Sequence, residues 1–331
     1  MIITKTPFRV SFFGGGTDYP PWFREHGGAV LATTINKYCY ITLRHLPAFF
    51  EHRFRVVYSK IETVKEIDEI VHPAVRGVFN WAGIESGLEL HHDGDLPARS
   101  GLGSSSSFTV GLVQAIRALR GRYTSKEELA KIAIHIEQDV LNENVGCQDQ
   151  ISAAYGGLNR IEFTTSGEYI VSPVIVDTER RAAFQSHLML FFTGFTRFAS
   201  DVAKSQIDNI ANKQAELQRM RQMVDEAQCM LLDSSTPLDL LGELLDEAWR
   251  SKRSLASSVS TPEIDAMYQA AKDAGATGGK LLGAGGGGFL LIFARPNRQP
   301  AVRAALSKLI HVPFQFESGG SAVVVYQPDG L

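Results

Sequence analysis

Apolar residues in the first hundred positions fall in short β-branched and aromatic runs. Val10–Phe13, Tyr38–Leu43 and Phe54–Tyr58 are separated by turn residues and predict strands. A brief helical stretch, Pro21–His26, stops at Gly27-Gly28. Ile67–Trp81 predicts a helix, and Leu88–His92 a strand that ends in the turn Asp93-Gly94-Asp95. Thereafter the period becomes helical. Ser107–Arg120 is followed by Lys126–Leu141, where Thr124 stands three residues before Glu127, the spacing of a capping box. Asn142–Gly146 breaks that helix. Gln148–Tyr155 is a further helical piece, closed by Gly156-Gly157. Leu158–Phe163 and Tyr169–Ile175 alternate as strands, and Leu188–Thr193 predicts a buried one. Polar helical stretches follow at Asp201–Leu232 and Pro237–Ser258, then a helix at Pro262–Ala274 with proline early, where it is tolerated. Gly275–Gly288 is glycine-rich; Phe289–Ala294 predicts a strand, Pro300–Leu309 a helix and Ala322–Tyr326 a last strand. The mixture predicts an α+β protein of two packed lobes. The division falls within Thr165–Phe184, giving residues 1–175 and 176–331.

Composition narrows this modestly. In 331 residues, 44% are hydrophobic and 21% charged, enough to build a full core. A net charge of −3 gives no electrostatic footprint for nucleic acid or membrane, and neither is expected as a partner. Cys39, Cys147 and Cys229 are widely spaced, which excludes a disulfide framework or a cysteine metal site and suits a reducing cytoplasm. Met1-Ile2-Ile3-Thr4-Lys5 lacks the pattern of a signal peptide, and no apolar run has the ~20 residues of a membrane span.

Three glycine-rich segments carry the candidate chemistry. The central one, Leu96–Phe108, reads L-P-A-R-S-G-L-G-S-S-S-S-F and enters an apolar helix. Glycines let backbone amides approach an anion, and a helix start presents unpaired N–H groups and a positive dipole end. Four serines add hydroxyls. The segment reads as a phosphate cradle, or more plainly as a serine-rich helix cap. It lacks the lysine of a P-loop, and no G-x-G-x-x-G dinucleotide fingerprint occurs between a strand and a helix, which excludes a nicotinamide-dependent oxidoreductase. Earlier, Thr6–Tyr19 runs a strand into Gly14-Gly15-Gly16-Thr17-Asp18, where a carboxylate can accept hydrogen bonds from sugar hydroxyls or simply cap a glycine turn. Later, Ala276–Phe289 sets a dense glycine run before a strand, a mark of close backbone approach.

In this order and at these separations the three segments resemble the motifs of the GHMP kinase superfamily, which includes galactokinase, homoserine kinase, mevalonate kinase and phosphomevalonate kinase. The resemblance spans essentially the whole chain. Within the superfamily, T-K-T-P-F-R-V-S-F-F-G-G-G-T-D-Y-P, D-G-D-L-P-A-R-S-G-L-G-S-S-S-S-F-T-V-G and N-V-G-C-Q-D-Q are most similar to the D-glycero-D-manno-heptose 7-phosphate kinase group. Galactokinases carry G-E-H-T-D-Y in the first motif; here Gly15 and Gly16 replace the Glu and His. That departure weakens galactose as substrate and leaves room for a bulkier or phosphorylated sugar.

The resemblance implies a two-lobed fold, with a ribosomal S5 domain 2-like N-terminal lobe and a ferredoxin-like C-terminal lobe. It implies ATP-dependent phosphorylation of an anomeric hydroxyl, foremost that of heptose 7-phosphate to the 1,7-bisphosphate. Alternatives are a C1 kinase of an unphosphorylated sugar such as fucose, or a non-catalytic sugar or nucleotide sensor. It assigns the nucleotide phosphates to Arg99, Ser100, Gly101, Leu102, Gly103, Ser104, Ser105 and Ser106, and Mg²⁺ to Ser105 and Glu137. It makes Asp149 the catalytic base and Arg9 its cationic partner, orienting the attacking oxygen. The acceptor falls to Gly14, Gly15, Gly16, Thr17 and Asp18, with Gly285 and Gly286 from the third motif. A distal phosphate needs its own cations, and the candidates are Arg44, His45, His52, Arg53 and Arg55, or Arg197 and Lys204. The helical region Asp201–Ser258 offers contacts for a homodimer.

Overall fold

The computed structural model describes residues 1–47, 49–98, 100–194 and 199–329. Its frame is an antiparallel pair, β1 (Ile2–Phe13) and β2 (Gly28–His45), matched from Ile2↔Leu43 to Phe13↔Leu31. The other edge of β2 carries a strand toward each of its ends. Its second half pairs with β5 (Leu88–Gly94), which runs parallel to β3 (Phe54–Val57) of the hairpin with β4 (Ile61–Val64). Its first half pairs with β6 (Leu158–Phe163), followed by β7 (Tyr169–Pro173). A second, smaller antiparallel sheet combines β8 (Leu188–Phe192), β9 (Gly278–Leu281), β10 (Phe289–Phe293) and β11 (Ile310–His311) in the order β11-β8-β10-β9. Finally β12 (Phe316–Glu317) and β13 (Ala322–Tyr326) return to the first sheet, on β2 and β1.

The helices are α1 (Pro20–His26), α2 (Pro73–Ala82), α3 (Ser104–Leu119), α4 (Lys126–His135), α5 (Gln148–Tyr155), α6 (Thr178–Ser186), α7 (Ala199–Asp208), α8 (Gln214–Leu232), α9 (Asp239–Arg253), α10 (Pro262–Asp273) and α11 (Gln299–Ala305). Val110, Leu112, Val113 and Ile116 of α3 are buried, and the helix packs across β1 and β2. Phe12 meets Phe184 edge-on at 5.2 Å between ring centres, and Phe184 meets Phe293 of β10 at 6.2 Å. One apolar core therefore runs from the first sheet to the second. A separate cluster, with Met189, Trp249, Tyr268 and Ile292, covers the far face of the second sheet. Among the described residues, no helix is long and apolar enough to cross a membrane.

The α+β class and two-lobed plan agree with the sequence, and several elements differ from it for identifiable reasons. The reading of 67–81 as one helix fails at Pro73, which starts α2 because it cannot sit inside a helix; Ile67–Glu69 is a single 3₁₀ turn. Ser125, not Thr124, caps α4 and accepts the Glu128 N–H at 3.1 Å, while Thr124 accepts Arg117 Nε. That helix stops at His135 and gives way to a π turn, Ile136–Val140. Strand β9 hides within the glycine run. The division at residue 175 also needs correction: β12 and β13 belong to the first sheet, so the lobes interleave along the chain.

Candidate active site

Strand β1 ends in a turn that only glycine permits. Gly14 has φ +81°, and a Cβ there would lie 1.9 Å from Ala29 O. Thr17 locks this turn, its Oγ1 lying 2.8 Å from Gly14 O and 2.9 Å from Ala29 O. Asp18 is buried. Its Oδ1 accepts the Gly16 N–H at 2.9 Å and its Oδ2 the Gln148 N–H at 3.4 Å, so the carboxylate ties the turn to the start of α5. Burial pushes the Asp18 carboxyl above its ordinary range. Gln148 lies alongside, with its Nε2 3.4 Å from where a Gly15 Cβ would stand and a buried Oε1 that has no partner among the described residues.

The serine-rich loop faces this turn. Gly101 and Gly103 hold φ of +82° and +72°, and Gly103 leads directly into α3, whose first amides and dipole point back at the loop. Leu102 is buried and its carbonyl accepts the Arg9 N–H at 3.1 Å. Ser100 is also buried; its hydroxyl has no partner among the described residues. Arg99 lies outside the described residues, as does Arg197.

Asp149, in the first turn of α5, closes against the loop. A Cβ on Gly103 would stand 3.3 Å from Asp149 Oδ2. The buried guanidinium of Arg9 grips both oxygens, Nε to Oδ1 at 2.7 Å and Nη2 to Oδ2 at 2.6 Å, while Nη1 donates to Gly101 O at 2.6 Å. The Asp149 side chain remains 24% exposed, against 4% for Arg9. A carboxylate is thus oriented by a two-pronged charge-assisted bond and still opens toward a ligand.

Glu137 is carried by the π turn, a local widening of the helix that recurs at functional sites. It is fully buried. Oε2 accepts Ser106 Oγ at 2.9 Å and also Gln150 Nε2, whereas Oε1 has no partner among the described residues. Burial, with Glu143 adding like charge, pushes this carboxyl up to about 8. An orphaned buried oxygen beside a hydroxyl is a donor set that suits a hard cation such as Mg²⁺, which takes one or two protein oxygens and completes its shell with phosphate and water. The hydroxyl at Glu137 is that of Ser106; Ser105 is exposed, while Ser104 is half-buried beside it.

The second lobe contributes backbone. Gly283 lies against Gly101, where a Cβ would be 2.5 Å from the Gly101 Cα, and a Cβ on Gly288 would be 2.2 Å from Ser100 O. Phe289 N donates to Ser100 O at 3.0 Å. Gly285 and Gly286, which the sequence assigned to the acceptor, instead meet Val259, with Gly286 N donating to Val259 O at 2.9 Å. Two buried lysines also enter from this side, Lys252 at the end of α9 and Lys280 on β9. Sequence reasoning missed both; a lone lysine inside the buried G-G-K-L-L strand was the available signal.

The first basic window is not at the site. Arg44, Arg55 and His91 surround Glu89, at 2.6, 2.7 and 3.0 Å. Arg44 adjoins the Ile2 end of β1, seven residues from Arg9 and so about 24 Å along the strand. Arg53 faces Glu66, and Lys204 pairs with Asp208.

A glycine-lined cradle at a helix start, an oriented carboxylate beside it and a buried acidic oxygen define a phosphotransferase site. The chain belongs to the GHMP kinases: the family's N-terminal domain matches residues 66–157 and its C-terminal domain residues 234–311. It is 30% identical, over 93% of both chains, to a D-glycero-alpha-D-manno-heptose 7-phosphate kinase of Campylobacter jejuni. It is 26% identical to a bifunctional fucokinase/GDP-fucose pyrophosphorylase of Arabidopsis thaliana, covering 88% of this chain and 30% of that longer protein. In fold it superposes with a TM-score of 0.81 on a D-glycero-D-manno-heptose 1-phosphate kinase of Bacteroides thetaiotaomicron, at 24% identity and over 99% and 100% of the two chains. The protein is accordingly a sugar kinase of the GHMP family, whose members use ATP.

Proposed function

We propose that this kinase transfers the γ-phosphoryl group of ATP to the anomeric hydroxyl of a heptose 7-phosphate, forming the 1,7-bisphosphate. The observation that carries the reading is the placement of Asp149, gripped by Arg9 and lying against Gly103 of the phosphate loop. The loop amides and the start of α3 hold the nucleotide phosphates. Asp149 accepts the proton of the attacking hydroxyl, which the ring oxygen makes more acidic than an ordinary sugar alcohol. Arg9 keeps that carboxylate aimed and, through Gly101 O, fixed to the loop. Glu137 and Ser106 would hold Mg²⁺, which when bound neutralises charge on the phosphate oxygens. The acceptor lies against Gly15, Gly16 and Gln148, with Asp18 fixing that wall.

The Campylobacter relative is named for a 7-phosphate substrate, and the absence of side chains at Gly15 and Gly16 suits a larger sugar. A second reading, a C1 kinase of an unphosphorylated sugar, draws on the fucokinase relative and on the distance of the Arg44–Arg55 window from Asp149. Steady-state ADP release with heptose 7-phosphate, the free heptose, fucose and galactose tests the choice. Heptose 7-phosphate is expected to give the highest kcat/KM, with the new phosphate on C1 by ³¹P NMR. Equal turnover of the free heptose, or a phosphate on another carbon, overturns the first reading.

A further inference from the structure

Lys252 is 5% exposed, yet among the described residues no carboxylate lies within 4.0 Å of its ammonium. Its hydrogen bond there goes to Gly283 O. An ammonium has three protons to donate, so two remain. A buried charge with no carboxylate in contact is costly, which leaves room for a bound anion as its direct partner.

Position indicates which anion. Gly283 is in backbone contact with Gly101 of the phosphate loop, and Gly101 O also receives Arg9 Nη1. Lys252 and Arg9 thus converge from opposite lobes on the two sides of one backbone contact, with Asp18 and Asp149 in the same field. Lys280 is the contrasting case. Its Nζ donates to Phe12 O at 3.0 Å, and burial beside Lys252 and Arg9 holds its proton affinity well below the ordinary lysine range, as expected for an inter-lobe tie.

We propose that Lys252 is a catalytic cation of the phosphoryl-transfer centre, its ammonium contacting the non-bridging oxygens of the γ-phosphoryl group in flight between the phosphate loop and the acceptor. The bond from γ-phosphorus to the β,γ-bridging oxygen breaks, and ADP leaves with that electron pair. The acceptor oxygen bonds to phosphorus, its proton passes to Asp149, and Lys252 keeps its own protons throughout. Charge placed where charge develops is the main lever in this chemistry. The assignment rests on the reading of the chain as an ATP-dependent kinase and does not depend on which sugar is the acceptor.

The test separates a charge role from a simple hold on the glycine loop. Lys252→Gln keeps a donor for Gly283 O but no charge; Lys252→Arg keeps the charge. Binding of MgADP and of a non-hydrolysable MgATP analogue is measured by calorimetry without sugar, and kcat is measured with the best acceptor. Lys252→Gln is expected to lower kcat by about 10²–10³-fold. It should weaken the triphosphate analogue at least ~10-fold relative to ADP, the equivalent of one ~1.4 kcal/mol contact, while ADP affinity stays near wild type and unfolding stays cooperative. Lys252→Arg should recover part of the loss. Equal weakening of both nucleotides, a kcat within about threefold of wild type, or a Lys252→Gln protein that does not fold each overturns the proposal. A wild-type protein that phosphorylates no sugar, yet shows the same lysine-dependent preference for the triphosphate, refutes the sugar kinase reading and leaves this one standing.

Discussion

Carboxylates and lysines of one site experience quite different surroundings. Asp149 opens to the ligand, whereas Asp18 and Glu137 are enclosed and their carboxyls pushed up. Asp149→Asn keeps the shape and removes the proton acceptor. Its kcat, measured as ADP release at saturating substrates, is expected to fall about 10²–10⁴-fold, with little change in melting temperature. Lys252 gives a stability signature. Burial, with Arg9 adding like charge, pushes it from 10.5 down to about 8, and Asp18 and Asp149 oppose that shift. Lys280 shares the same field. The unfolded chain holds this proton at higher pH than the folded chain does, so stability rises with pH between about 8 and 10.5. Urea unfolding of wild type against Lys252→Met should show the difference moving toward wild type across that window, by on the order of 3 kcal/mol. The family resemblance singled out Arg9 and Asp149 through T-P-F-R and G-C-Q-D-Q, and the structure brings these two side chains together. Lys252 was not singled out: it stands among Arg250 and Arg253 at a helix end, and only the packing of α9 shows which of the three turns inward.

Secondary-structure elements hold the two loops in register. The π turn is invisible in a sequence whose helical period continues to Leu141, yet its extra residue carries Glu137 inward onto Ser106. The hydroxyl it meets lies one position after Ser105, the serine that the resemblance assigned to the metal. Ser106→Ala is expected to cut activity at limiting Mg²⁺ by about 10- to 100-fold, with partial recovery at high Mg²⁺. Ser105→Ala should stay near wild type in the same titration. The third glycine segment was legible as an ordered loop but not as a strand followed by a backbone contact, because glycine carries no side chain to alternate. Gly288 has φ +104° and abuts Ser100 O. Gly288→Ala should therefore cost more than about 1 kcal/mol and weaken ADP binding. Gly121→Ala is the control: it shares the positive φ, at +64°, but has open space around it, and so should leave ADP binding unchanged.

Taken whole, the molecule has one core shared between its two sheets and a second cluster on the far face of the smaller one, and its last strands return to the first sheet. Alternation and turn residues made most of the strands legible, including the last one at 322–326. Which sheet received that strand was not legible, since pairing between residues 2–5 and 322–326 leaves no local pattern. A chain ending at Val312 lacks β12 and β13 and bares the edge of β1. It is expected to lose cooperative unfolding by circular dichroism and to aggregate, although every residue of the phosphate loop is retained. The same pairing has a temporal side. Strand β1 leaves the ribosome long before the strand that flanks it, with most of this chain synthesised in between. That edge of β1 therefore stays open to other strands until Ala322–Tyr326 emerges, so its pairing cannot be completed during the earlier part of synthesis.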